Sequence, residues 1–184
     1  MNRNNGMSSW LNKDCFNIKD EYYTPQILVE PILKYAKGTI WCPFDTDNSE
    51  FVLMLKERGF DVINSHIAYG EDFFNYQPPR DYDMIISNPP FTKKLEVLKR
   101  LYEIDKPFAM ILGLPILNYQ EVGSFFVNKK LQLLIVDKKV SFDGNTASFN
   151  NSYFCYKMLP QDLMFVGLEH NNSGKHFKKS RMTI

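Results

Sequence analysis

The stretch Asp83-Met84-Ile85-Ile86-Ser87-Asn88-Pro89-Pro90-Phe91 constrains the chain more than any other. Its first half is an unbroken apolar run that ends in a turn signal, the pattern of a strand buried on both faces of a parallel sheet. Its second half can be neither strand nor helix. Pro89 and Pro90 lack backbone donors and fix φ, and each restricts the residue before it. Asn88 and Phe91 are therefore carried by a stiff loop at the carboxyl end of a strand, where open α/β sheets bind ligands. Asn88 offers an amide oxygen, and the carbonyls beside the prolines belong to no helix or ladder, so two acceptors can converge on one exocyclic NH2 group. Phe91 adds a flat apolar face on which a base can stack. Asn-Pro and Pro-Pro are also ordinary turn dipeptides, and the same loop can serve as a rigid strand-to-helix turn.

The 184 residues suit one domain with a substantial core. Hydrophobic residues make up 44% and charged residues 23%, which sets the chain apart from disordered sequences. A net charge of +1 gives no global basic field. Positive charge is local: Lys93 and Lys94 follow the proline loop, and Lys175, Lys178, Lys179 and Arg181 lie near the end. Solvation and nucleic-acid contact explain that tail about equally well. Cys15, Cys42 and Cys155 form no C-x-x-C pair, so reduced thiols are expected. His66, His170 and His176 lie far from any cysteine cluster, and no metal site is expected. No apolar run reaches the ~18 residues of a membrane span and no signal-peptide core opens the chain, so the expected location is the cytoplasm.

Residues 1–20 read as an irregular polar arm, 21–168 as the folded domain and 169–184 as a basic tail. Thr24 and Pro25 have the chemistry of a helix cap and first turn, and apolar spacing from Ile27 continues past a kink at Pro31 to Gly38. Residues 39–45 read as a first core strand, 49–58 as a helix and 61–67 as a second strand, which predicts a right-handed crossover and parallel pairing. After the proline loop come an amphipathic helix over 92–103 and strands over 107–114, 131–136 and 152–158. The last two are close enough in sequence to pair antiparallel. The expected fold class is α/β, a three-layer sandwich with a mostly parallel sheet and an antiparallel C-terminal hairpin.

Asn88-Pro89-Pro90-Phe91 resembles motif IV, the (D/N/S)-P-P-(Y/F) loop of the S-adenosylmethionine-dependent adenine-N6 methyltransferases. Three other stretches resemble motifs of the same family. Tyr22-Tyr23-Thr24-Pro25 is similar to motif X, which places Tyr23 and Thr24 near the carboxylate end of the cofactor. Pro43-Phe44 matches motif I, although Cys42 replaces its acidic residue and Thr46 and Asn48 stand where glycines are usual. Asp45 or Asp47 could accept from the cofactor's amino group there. Asp72-Phe73 is similar to motif III, in which the acid takes the adenine amino group of the cofactor and the aromatic covers its ring. At the end of the second strand, where the family carries an acid for the ribose, this chain has Asn64, Ser65 and His66. His66 is expected to pack or hydrogen-bond rather than to catalyse.

The order X, I, III, IV is the family's gamma arrangement. The resemblance implies a Rossmann-like class I methyltransferase fold over roughly residues 22–158. It also implies S-adenosylmethionine as cofactor, Asn88, Pro89, Pro90 and Phe91 as the catalytic loop, and Tyr23, Thr24, Pro43, Phe44, Asp45, Asp72 and Phe73 as cofactor-binding residues. The expected reaction is methyl transfer to the N6 amino group of adenine, in DNA rather than RNA, after the base leaves its stack. Only ~95 residues follow motif IV and most are needed to finish the sheet, which leaves no room for a target-recognition domain. Low sequence selectivity, as in phage or prophage enzymes of bacterial or infected host cells, or a partner subunit that supplies recognition would follow. The loop over 142–151, with Phe142 and Phe149, falls where such enzymes pack against the flipped base, but its composition favours a plain hairpin loop. RNA adenine methylation, protein glutamine methylation and a non-catalytic binding module that kept the fold remain as alternatives.

Overall fold

The computed structural model describes residues 24–90, 92–142 and 150–168. The polar arm, the basic tail, Tyr23, Phe91 and the loop around Phe149 lie outside the described residues. Helices α1 (Gln26–Leu33), α2 (Glu50–Glu57), α3 (Lys94–Ile104) and α4 (Gln120–Phe126) and strands β1 (Thr39–Cys42), β2 (Asp61–Asn64), β3 (Met84–Ser87) and β4 (Phe108–Gly113) follow in the order α1-β1-α2-β2-β3-α3-β4-α4, with only a short 3-10 turn between β2 and β3. The chain then runs through β5 (Gln132–Val136), β6 (Asn151–Tyr156) and β7 (Leu163–Val166).

One seven-stranded sheet results, in the order β2-β1-β3-β4-β6-β5-β7. The pairs β1–β2, β1–β3 and β3–β4 are parallel, as strand-helix-strand crossovers require. Strand β6 enters antiparallel between β4 and β5, which bears out the expected hairpin. Strand β7 pairs parallel with β5 and forms the edge. Both β7 and the short helix α4 go beyond the elements expected from the sequence.

Alternation along the strands divides the core into two layers. Ile40, Met84, Ile86, Ala109, Ile111, Tyr153 and Cys155 face α1 and α2, whereas Trp41, Ile85, Phe108, Met110, Leu112 and Phe154 face α3 and α4. Burial on both faces explains why β3 and β4 read as continuous apolar runs. The Tyr153 hydroxyl donates to the Leu28 carbonyl at 2.6 Å and ties β6 to α1.

Two details of α1 differ from expectation. Pro25, not Thr24, is the N-cap residue, with no side-chain cap, and its carbonyl accepts from Leu28 and Val29. The helix ends at Leu33, well before Gly38. Gly38 instead opens β1 with φ +66°, and a Cβ there would stand 2.0 Å from the Asp83 carboxylate. That carboxylate accepts from the Thr39 amide at 2.7 Å, so the glycine lets β1 and β3 start side by side.

Candidate active site

Strand order reverses at β1: the chain steps outward to β2, then returns to the other side of β1 to lay down β3 and β4. The crevice above the carboxyl ends of β1 and β3 is thus the topological switch point, the usual ligand site of open α/β sheets. Residues 43–49 and 88–90 leave the sheet there.

The centre of this crevice is polar and buried. Asp45 is 5% exposed, and its carboxylate accepts from the hydroxyl of fully buried Ser87, the last residue of β3. The same Ser87 oxygen accepts from the Phe44 amide at 3.3 Å. Burial pushes the Asp45 carboxyl up to about 6, against the opposing pull of hydrogen bonds from Ser87 and Ser49. Ser65, just beyond β2, joins the third strand end: its carbonyl accepts from the Asp45 amide at 3.2 Å and its amide donates to the Cys42 carbonyl. Its hydroxyl accepts from the Trp41 indole at 3.0 Å. Ser49 closes the turn after β1 by accepting from the Thr46 amide at 3.0 Å. Asn64 also donates to the Asp47 carboxylate at 3.1 Å, so hydroxyls and an asparagine hold this bend.

Asn88 follows Ser87 directly. Its side-chain oxygen is buried and has no hydrogen-bond partner among the described residues. Pro89 beside it is buried and Pro90 half-buried. An unsatisfied buried acceptor costs about 1–3 kcal/mol, and native proteins retain few of them.

The other candidates among the described residues sit on the turn after β1, the start of α1 and the segment between β2 and β3. Pro43 is buried and Phe44 half-buried in the turn after β1. Thr24 is 7% exposed at the start of α1. Gln26, in the first turn of α1, donates to Glu50, the first residue of α2, at 3.0 Å, which brings the starts of both helices beside the loop carrying Asp45. Asp72 accepts from the Phe74 amide at 3.1 Å and from the Asn75 side-chain amide at 3.5 Å. Phe73 is 2% exposed, with its ring 4.9 Å from Phe44 and 5.5 Å from Trp41. In this conformation it packs into the core layer that holds Trp41. The Nδ1 atom of His66 accepts from the Ala68 amide and caps the short 3-10 turn after β2.

Sequence reasoning missed Ser87 and the hydrogen bonds of Ser65. A polar residue at the end of an otherwise apolar strand needs a partner, and that was the available signal. No family model matches this sequence, and no curated protein matches it.

The seven-stranded, mostly parallel sheet with its antiparallel pair is a Rossmann-like α/β fold. Among solved structures, the chain is similar to the methyltransferase subunit of a type I restriction-modification system from Streptococcus thermophilus, with a TM-score of 0.51 and 11% identity over 80% of this chain and 47% of that one. It is also similar to a modification subunit assigned to a type I restriction enzyme from Vibrio vulnificus YJ016, with a TM-score of 0.49 and 11% identity over 89% of this chain and 50% of that one. The chain spans about half the length of these proteins, and the likeness concerns the fold.

Proposed function

We propose that this chain transfers a methyl group from S-adenosylmethionine to the N6 amino group of adenine, in DNA rather than RNA. The observation that carries the reading is the buried, unpartnered side-chain oxygen of Asn88 in an Asn-Pro-Pro turn at the switch point of a methyltransferase fold. An acceptor left empty in the folded protein is suited to an amino group that arrives with the substrate. The Asn88 oxygen and the Pro89 carbonyl would hold the two amino hydrogens and leave the nitrogen lone pair free to attack. Phe91 would stack on the extruded base, a contact of about 1–3 kcal/mol that offsets part of the unstacking cost.

The residues at the end of β1 fit the cofactor. S-adenosylmethionine supplies an electrophilic methyl on a sulfonium and carries an ammonium group, and a buried carboxylate raised to about 6 is a group that a nearby cation stabilises. Asp45 is that carboxylate. Asp72 keeps lone pairs for an adenine amino group, and Thr24 at the start of α1 would lie near the cofactor's carboxylate. Positioning and charge placement, not a nucleophilic side chain, would supply most of the acceleration. Low sequence selectivity or a partner subunit for recognition, and a setting in bacterial or phage-infected cytoplasm, belong to the same proposal. So do the domain limits of 21–168, with the arm and tail outside them.

Incubation of labelled cofactor with DNA, RNA and a glutamine-bearing protein tests it. Label is expected in DNA as N6-methyladenine, and Asn88→Ala should abolish transfer while leaving cofactor affinity within about threefold, a loss of less than about 1 kcal/mol. Label in protein alone, or equal loss of transfer and cofactor binding in Asn88→Ala, would overturn the reading.

A further inference from the structure

Beyond the crevice, a second cavity of about 550 Å³ opens at the same edge of the sheet, between the end of β4, the end of β5 and the start of β6. Lys138, Lys139, Asn151 and Ser152 line it, with Leu114 and Pro115 forming its apolar side. Asn151 and Ser152 are each 2% exposed, yet the Asn151 amide nitrogen and the Ser152 hydroxyl have no hydrogen-bond partner among the described residues. Among the described residues the one acid in the lining, Asp137, is engaged by the Leu168 amide at 2.9 Å. Two unspent neutral donors and two lysines around a cavity are the chemistry of an anion site, and oxygens of a phosphodiester satisfy both kinds of group at once.

Position gives that chemistry its direction. Strand β4 lies between β3 and β6, so two strand spacings, roughly 10 Å, separate the Asn88 loop from the start of β6. Gly113 pairs with Asn151 three residues beyond Met110, the partner of Ser87, so the cavity stands at the same end of the sheet as the crevice and somewhat above it. An extended strand of nucleic acid would run across both places, with its phosphates fixing its position and orientation. We infer that this cavity is a backbone subsite that holds a phosphodiester flanking the target nucleotide. The inference rests on the reading of the substrate as nucleic acid and adds where the strand runs. Lys138 and Lys139 neutralise the phosphate, while Asn151 and Ser152 fix its register by hydrogen bonds.

Fluorescence anisotropy with an adenine-containing single-stranded oligonucleotide, across a salt series, tests the subsite without any methyl transfer. Lys138→Ala/Lys139→Ala is expected to lower the slope of log affinity against log salt by about 1 to 2 and to weaken binding at low salt by about tenfold or more. Ser152→Ala should weaken binding about tenfold with little change in slope, and should unfold no earlier than the wild type, because the hydroxyl it removes has no partner in the folded protein. Unchanged affinity and slope in these variants would overturn the inference, as would wild-type affinity that is no greater for the oligonucleotide than for a methylphosphonate analogue without backbone charge. The two failures are distinguishable. Methylated DNA with wild-type binding in the variants removes the subsite and keeps the activity; label only in protein removes the activity and, with it, the target nucleotide that the subsite would flank.

Discussion

The hydroxyl of Ser87 donates to the carboxylate of Asp45 across the gap between β3 and β1, where both residues are buried. The bond joins the two loops that leave the sheet at its switch point, and it makes the charge on Asp45 a property of the fold.

Stability should therefore depend on pH through this one carboxyl. Its value of about 6 in the folded protein stands above the 3.8 of an ordinary aspartate, so the folded chain holds the proton more tightly than the unfolded chain does. The sign follows: stability from this group is greatest in acid, falls as pH rises from about 4 to about 6, and is level above that, with a total fall of about 3 kcal/mol. Urea titrations at several pH values should show the fall in the wild type and its absence in Asp45→Asn. Ser87→Ala should cost about 1–3 kcal/mol at neutral pH by stripping the buried carboxylate of its donor.

Cofactor binding should have the opposite slope. A cation next to Asp45 favours the ionised form, so S-adenosylmethionine affinity is expected to rise with pH up to about 6, approaching tenfold per unit well below that value, and to level off above it. Calorimetry in buffers of different ionisation heat would register the proton released. Affinity independent of pH between 5 and 7.5 in the wild type would separate Asp45 from the cofactor.

Asn88→Ala should leave stability almost untouched. A structural amide in a buried turn would cost about 1–3 kcal/mol when removed, but the Asn88 oxygen makes no hydrogen bond among the described residues that could be lost. A shift in unfolding free energy below about 1 kcal/mol, combined with lost transfer, would mark a residue kept for its chemistry.

The neighbouring pair Asp72 and Phe73 should separate cleanly. Phe73 lies between Phe44 and Trp41 with 2% exposure, and Phe73→Ala is expected to cost about 3–5 kcal/mol of stability. Asp72→Ala removes turn contacts to the Phe74 amide and the Asn75 side chain and should cost about 1 kcal/mol, while weakening cofactor binding more than it weakens the fold. Thermal unfolding with and without cofactor measures both.

Much of the frame was legible because its signals are local. The apolar runs of β3 and β4, the helical spacing of α2 and α3, and the short hairpin distance between β5 and β6 all follow from neighbouring residues. Strand β7 was not legible, because Leu163 to Val166 alternate between exposed and half-buried, and their ladder partners on β5 lie 30 residues back. The same holds at the site. The loop bearing Asn88 and the candidate Asp45 could be read from sequence, but the bond between Asp45 and Ser87 spans 42 residues, and no local pattern announces it. Phe73 offered an aromatic to the cofactor on paper, and only three-dimensional packing reveals how much of that ring Trp41 and Phe44 already occupy.

The bond from Tyr153 to the Leu28 carbonyl has a bearing on how the molecule is made. Those residues are 125 positions apart, and β6 lies inside the sheet between two earlier strands. During synthesis, α1 and the first parallel strands leave the ribosome long before the segment that completes their sheet, and the flank of β4 stays open meanwhile. A nascent chain stalled before Tyr153 would expose that flank to chaperones and to other copies of itself, so translation speed near the C-terminal hairpin bears on the yield of folded protein.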